Sequence, residues 1–390
     1  MDQNFSTPSK SFLFYIFLVV AALGAAFFIS REEAPLDFKA AVFYTANPVK
    51  TIVQAAEKIK LRPDKVAVPD YVRGLYLTAY SAGKDDFRQA IIKKMSSGHI
   101  NAVVIDIKDS YGRVLYPSNL EMAGKIGATF LMMPDVRKVI DDFHEAGIYT
   151  IARQVVFQDP ALAQSRPDLA LKTKSGNIWY NYNGLAFTDP QATEVWGYNA
   201  AIAKEAVELG FDEINFDYIR YPSDGPLSTL NYNLPAGKTK ADVLKSFFVY
   251  LSDQLKDQAK ISADLFGLVM DNAKTGYDLG IGQRLADTVD YFDFVSPMMY
   301  ASHYADGYLG FVNPAAYPAE VVSYGLKISA PFMEGKRATV RPWLQAFNLG
   351  ATYDSVKIKV QEEAAENATT TSGWLLWNAR NYYPDYIFEK

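Results

Sequence analysis

From Tyr71 to the end of the chain, short runs of β-branched and aromatic residues alternate with stretches whose apolar positions recur every three to four residues. Residues 72–78, 102–107, 149–157, 213–216, 261–265, 294–299, 339–344 and 373–377 read as strands. Helical spacing lies between them at 85–97, 134–146, 194–209, 241–258, a short piece near 281–288, 318–324 and 355–366. Gly98, Gly147 and Gly210 stand where helices would end, and Pro134 where one would begin. Strictly alternating strands and helices argue for parallel pairing through βαβ units. Eight β/α pairs predict a closed (β/α)8 TIM barrel, an α/β fold. An open doubly wound sheet would want a glycine-rich first turn, which the chain lacks.

The pattern changes before Tyr71. Residues 12–29 are uninterrupted apolar or small, with Lys10 before them and Arg31, Glu32 and Glu33 after. A helix of about 18 residues, rising ~1.5 Å each, nearly spans a bilayer's hydrocarbon core. The sequence therefore predicts a cytoplasmic tail and transmembrane anchor over 1–31, a stalk over 32–70 and the barrel over 71–390. In the stalk, Val49, Ile52, Val53, Ala56 and Ile59 have helical spacing, which Pro63 and Pro69 stop. The expected location is the cell membrane, single-pass, with the barrel extracytoplasmic. A signal peptide cut near Ala22 to Ala25 is the alternative, giving a secreted barrel.

Composition narrows the chemistry. Net charge is −5 with no basic block, so nucleic acid is not an expected partner. The absence of cysteine removes disulfides, thiolate metal sites and a cysteine nucleophile. His99, His144 and His303 have no zinc-motif spacing, so neither a histidine metal site nor a cofactor is expected. Asp106, Asp109 and Asp271 leave a calcium or magnesium ion open. Tyrosine is the most numerous aromatic, and its rings serve equally for stacking on sugars and for ordinary packing.

In a TIM barrel the reacting groups sit at the carboxyl ends of the strands. Those ends carry Asp106, Lys108 and Asp109; Arg153 and Gln154; Asp217, Tyr218 and Arg220; Asp264; Tyr300, Ser302 and His303; Arg341, Trp343 and Gln345; and Trp377 with Asn378. Two carboxyl groups are what glycoside hydrolysis needs, one to protonate the leaving oxygen and one to attack carbon or activate water. The densest stretch, residues 211–222 (FDEINFDYIRYP), puts Asn215 and Asp217 on one strand face. Asp217 is the predicted nucleophile or base, although it could instead cap a loop or pair with Arg220. Asp264 has apolar neighbours that raise an acid's pKa, which suits a proton donor. It could equally be a buried acid paired with Lys108 or Arg153. Asp106 and Lys108 should face the same side and form a salt bridge within the mouth. The predicted substrate-binding set is Asp106, Lys108, Asp109, Arg153, Tyr218, Arg220, Tyr300, His303, Trp343, Trp377 and Asn378, with Trp343 and Trp377 as possible stacking platforms.

At these residues the sequence resembles the bacterial "putative glycosyl hydrolase domain" family, whose activity is largely unassigned. The matching stretches are GLYLTAYSAG, INAVVIDIKDSYGRVLYPS, GIYTIARQVVFQDP, FDEINFDYIRYPSDG, ISADLFG, DFVSPMMYASHY, NPAAYP and SGWLLWNARN. The resemblance implies a barrel, an exported or anchored location and polysaccharide chemistry. Strand four is also similar to the chitinase pattern of alternating acids followed by a glutamate. Asp212 and Asp217 match acids, Asn215 replaces one, and Ile219 stands where the catalytic glutamate would be. The amylase-type arrangement instead has a nucleophilic aspartate after strand four and a glutamate acid after strand five; Asp217 and Asp264 sit near those places, with an aspartate in place of the glutamate. The expectation is a glycosidase acting on an oligosaccharide or polysaccharide. A non-catalytic glycan-binding barrel and a cell-envelope scaffold are the alternatives.

Overall fold

The computed structural model describes residues 65–389. Parallel pairing joins β1 (Val72–Leu77), β2 (Ala102–Lys108), β3 (Tyr149–Val155), β4 (Glu213–Asp217), β5 (Lys260–Phe266) and β6 (Phe294–Met298) in chain order. β7 comes in two pieces, Thr339–Val340 and Trp343–Gln345, because Pro342 offers no backbone N–H to the ladder. Its first piece pairs with β6 and its second with both β6 and β8 (Gly373–Trp377). β8 returns to β1 through Val72 opposite Gly373, and the sheet closes.

Alternation along the strands builds two cores. Leu75, Val103, Ile105, Ile214, Phe216, Ala263 and Leu376 face the helices. Val104, Tyr149, Ile151, Trp343 and Leu375 fill the barrel's inside. Val66 and Val68 pack against that inner cluster, and Val66 N donates to Asp212 at the foot of β4, so residues 65–70 cover the amino-terminal end.

The outer layer holds α1 (Asp85–Met95), α2 (Val136–Glu145), α3 (Thr193–Leu209), α4 (Lys240–Leu255), α5 (Pro318–Ser329) and α6 (Ser355–Glu366). Predicted and observed elements agree to within a few residues, with three departures. Asp135, not Pro134, caps α2 by accepting from Lys138 N. The expected helix near 281–288 is a single 3₁₀ turn, Leu285–Asp287. Only a 3₁₀ turn, Asp385–Ile387, follows β8 among the described residues, so the eighth strand has no full helix there.

The predicted anchor and most of the predicted stalk lie outside the described residues. Among those described, no helix is long and apolar enough to cross a membrane.

Candidate active site

Inward positions on β4 stack in three layers. Glu213, at the bottom, pairs with Arg341 from β7 and accepts from Ser262 (2.6 Å) and Tyr149 (3.1 Å). In the middle, Asn215 Nδ2 donates to Asp264 Oδ1 at 2.8 Å and to Ser262 Oγ at 3.0 Å. Trp343 Nε1 donates to the same Asp264 oxygen at 2.8 Å. At the top, Arg153 Nη2 donates to Asp217 Oδ2 and Nη1 to Asp106 Oδ1, both at 2.5 Å. Tyr76 OH supplies Asp106 Oδ2 at 2.5 Å. Arg153 Nε stands 3.9 Å from Asp264 Oδ2. One guanidinium thus faces three carboxyl groups from three strands.

The network separates the acids electrostatically. Asp264 is 1% exposed. Burial, then the nearby Asp217, pushes its carboxyl well above the usual carboxylate range, and Arg153, Asn215 and Trp343 only partly oppose this. Burial also raises Asp106, against Arg153 and the Tyr76 hydroxyl. Burial disfavours the charge on Arg153, but Asp106 and Asp217 outweigh it and hold the guanidinium firmly protonated. Burial lowers His303, favouring its neutral form. Tyr218 follows Asp217 at φ 52°, a left-handed conformation rarely taken by an aromatic residue, and its N–H donates to Asp217 Oδ1 at 2.5 Å. The carboxylate is therefore fixed from both sides.

Above this network lies a cleft of about 390 Å³ at the carboxyl ends of the strands. Asp217, Asp264, Arg153 and Trp343 border it from the strands. Tyr218 and Arg220 line it from the turn after β4, Tyr300 and His303 from the turn after β6, and Trp377 from the end of β8. Trp377 stacks on Tyr76 (centroids 3.9 Å apart) and carries the Arg153 guanidinium over its ring at 5.0 Å. Trp343 is 1% exposed and meets Trp377 edge-on, so it anchors Asp264 and offers little face for stacking. His303 and Trp377 also border a neighbouring groove of about 1060 Å³ with Phe347, Tyr353, Tyr382 and Arg380 along it.

Four predicted residues lie elsewhere. Asp106 sits beneath the cleft, held by Tyr76 and Arg153. Lys108 does not share its side. A register irregularity between Asp106 and Lys108 sets Lys108 opposite Gln154 and breaks the two-residue alternation. Its ammonium is buried outside the barrel, 2.7 Å from Asp159 Oδ2 and bonded to the carbonyls of Val155 and Val156. Asp109 shapes the following turn by accepting from Tyr111 N and Arg113 N, and pairs with the Arg113 side chain. Asn378 lies outside this cleft but borders the neighbouring groove, and it braces the turn after β8 through the carbonyls of Ala346 and Tyr382. Among the described residues, Asp106, Asp109 and Asp271 do not gather into a metal-holding group.

Tyr76, Phe266 and Gly267 belong to the site without having been predicted. Tyr76 was legible as an inward position near the end of β1, two residues after Gly74. Gly267 lines the cleft where a Cβ would stand 2.6 Å from Met298 O, so only glycine lets the chain pass.

No curated protein matches the chain. Among solved structures, a hypothetical protein from Ruminiclostridium thermocellum ATCC 27405 is 40% identical over 49% of this chain and 96% of its own, with a TM-score of 0.45. The PgaB (BpsB) glycoside hydrolase domain from Bordetella bronchiseptica is 14% identical, covering 82% of this chain and 95% of that one, with a TM-score of 0.58. An exo-β-N-acetylglucosaminidase from Vibrio harveyi is 12% identical, covering 83% of this chain and 54% of that one, with a TM-score of 0.52. At such identities these last two likenesses speak for the barrel fold alone. The model of the family described as "Putative glycosyl hydrolase domain" matches residues 74–383, most of the chain, and to that family this protein belongs.

Proposed function

We propose that the barrel is a glycosidase in which Asp264 is the general acid and Asp217 the nucleophile or base. One observation carries this reading: two carboxyl groups border the same cleft in opposite electrostatic settings. Asp217 is ion-paired with Arg153, and Asp264 is buried, its pKa pushed up by that burial and by Asp217, and hydrogen-bonded through one oxygen only. Divergent environments for neighbouring acids are how one site supplies both a proton donor and a charged carboxylate. Both groups lie within reach of the single Arg153 guanidinium, consistent with the ~5–9.5 Å separations that glycosidases use.

In this mechanism the Asp264 proton passes to the glycosidic oxygen as its bond to the anomeric carbon breaks. Asp217 meets that carbon directly, or takes a proton from the water that does. Arg153 holds Asp217 in place, and the Asp217 carboxylate favours the positive charge that develops on the sugar. Trp377 offers a ring face to the substrate. The adjoining groove, reached past His303 and Trp377, supports a chain of several sugars over a single one. The apolar run at 12–29 favours an extracytoplasmic polysaccharide at the cell membrane.

The test is hydrolysis of a panel of cell-wall and exopolysaccharide glycans by wild type, Asp217→Asn and Asp264→Asn, with the product anomer followed by NMR to tell retention from inversion. Each substitution should lower kcat by at least about a hundredfold. Equal turnover by all three would refute the assignment. Glycan binding without turnover in wild type would favour the non-catalytic barrel, which Ile219 at the chitinase glutamate position also suggests.

A further inference from the structure

Arg220 takes no part in the proposed reaction, yet it lines the same cleft. It is 6% exposed. Its guanidinium lies between the rings of Tyr218 (4.7 Å) and Phe266 (4.8 Å), with Phe187 at 6.0 Å. Nη1 donates to the Tyr221 carbonyl at 3.1 Å. Among the described residues no carboxylate comes within ion-pair distance of it. Arg153, in the same cleft, has Asp106 and Asp217 at 2.5 Å. Burial disfavours the charge on Arg220, and Tyr218, Asp217 and Asp224 do not make up for it.

A buried cation without a counter-charge is costly, and a fold keeps one more readily when a ligand supplies the missing anion. The surrounding geometry suits that use. Two rings stand within 4.8 Å of the guanidinium carbon and the Tyr221 carbonyl takes one N–H, so the other donors of its planar fork remain for a ligand in the cleft. Such a fork matches an oxyanion in two-point fashion. Asp106 and Asp217 are both taken up by Arg153, so Arg220 has no carboxylate of its own in the cleft.

We propose that Arg220 forms an oxyanion subsite, and that the glycan bound here carries a carboxylate, sulfate or phosphate on the sugar seated beside Asp217. The inference rests on the cleft being a glycan site but does not need the catalytic assignment.

Equilibrium binding of simple sugars to the full chain tests it without requiring turnover. D-glucuronate, D-glucose 6-sulfate and D-glucose 6-phosphate are compared with D-glucose by ligand-observed NMR titration at neutral pH. At least one anionic sugar should bind roughly ten- to a hundredfold more tightly than glucose, the range of a charge-assisted contact. The order among the three identifies the oxyanion. Arg220→Gln and Arg220→Met should erase the preference, and Arg220→Lys should keep part of it. Equal binding of all four sugars by wild type, or no saturable binding of any anionic one, overturns the proposal. A preference that survives in both folded neutral variants overturns it too. If Asp217 and Asp264 prove non-catalytic, the anion preference should still be present. If the subsite fails, hydrolysis of neutral glycans can still stand.

Discussion

Replacing Lys108 with methionine should cost the barrel stability and leave its chemistry alone. The Lys108 and Asp159 side chains are both fully buried, with Nζ 2.7 Å from Asp159 Oδ2. The ammonium also donates to Val155 O (2.9 Å), Val156 O (3.2 Å) and Asn199 Oδ1 (3.3 Å). Methionine fills similar volume but leaves a carboxylate and two carbonyls without this donor in a site closed to water. Removing one partner of a buried pair costs about 3–5 kcal/mol. For a domain of this size that is a fall in Tm of roughly 4–7 °C. Asp159→Asn should be costly as well, and Lys108→Met/Asp159→Asn should fall well short of the two losses added. Calorimetry or circular dichroism reads the stabilities, and turnover per folded molecule reads the chemistry. An unchanged Tm would refute the buried pair. Lost turnover at unchanged stability would return Lys108 to the cleft, where alternation alone had put it.

Three further outcomes follow from the site. Asp264 carries its proton below its raised pKa, so kcat should fall as pH rises through that value, giving an alkaline limb above the ordinary carboxylate range. The same raised folded value makes the Asp264 contribution to stability greatest at low pH and lost as pH rises through it. Asp264→Asn should therefore gain Tm relative to wild type on going from acid to neutral pH, and a constant difference would contradict the assignment. Trp377→Ala should raise KM roughly three- to tenfold with a smaller change in kcat, whereas an unchanged KM would make Trp377 a packing residue. Gly267→Ala should lower affinity for glycan and lower Tm, because its Cβ meets the Met298 carbonyl, and wild-type behaviour would show that the cleft lining yields there.

The barrel was legible because hydrophobic alternation and helical spacing agree along the whole described domain. Period-2 patterning also put Asn215 and Asp217 on one face, and there the structure has Asn215 bonded to Asp264 and Asp217 beside it. The pattern failed at Lys108 because one irregularity in β2 turns the following side chain outward, and no residue type announces it. Asp109 and Asn378 were read as strand-end chemistry, yet such residues shape turns just as well through bonds to backbone groups. The pairings themselves were out of reach. Arg153 could have met any of several acids, and its choice of Asp106 and Asp217, leaving Asp264 at 3.9 Å, depends on the stagger between strands. Arg220 stood in the sequence as one more cation at a strand end; its isolation from carboxylates is a fact of three dimensions.

The account turns on the buried Asp264 holding its proton above the usual carboxylate range, and infrared spectroscopy can see that proton without any substrate. Titration of the wild type should show protonated-carboxyl C=O absorption at pH values where ordinary aspartates are ionised; Asp264→Asn should remove one component of it, while Asp217→Asn should keep that component but shift its titration to lower pH. A wild-type spectrum without that absorption, or one that Asp264→Asn leaves undiminished, would contradict the central claim.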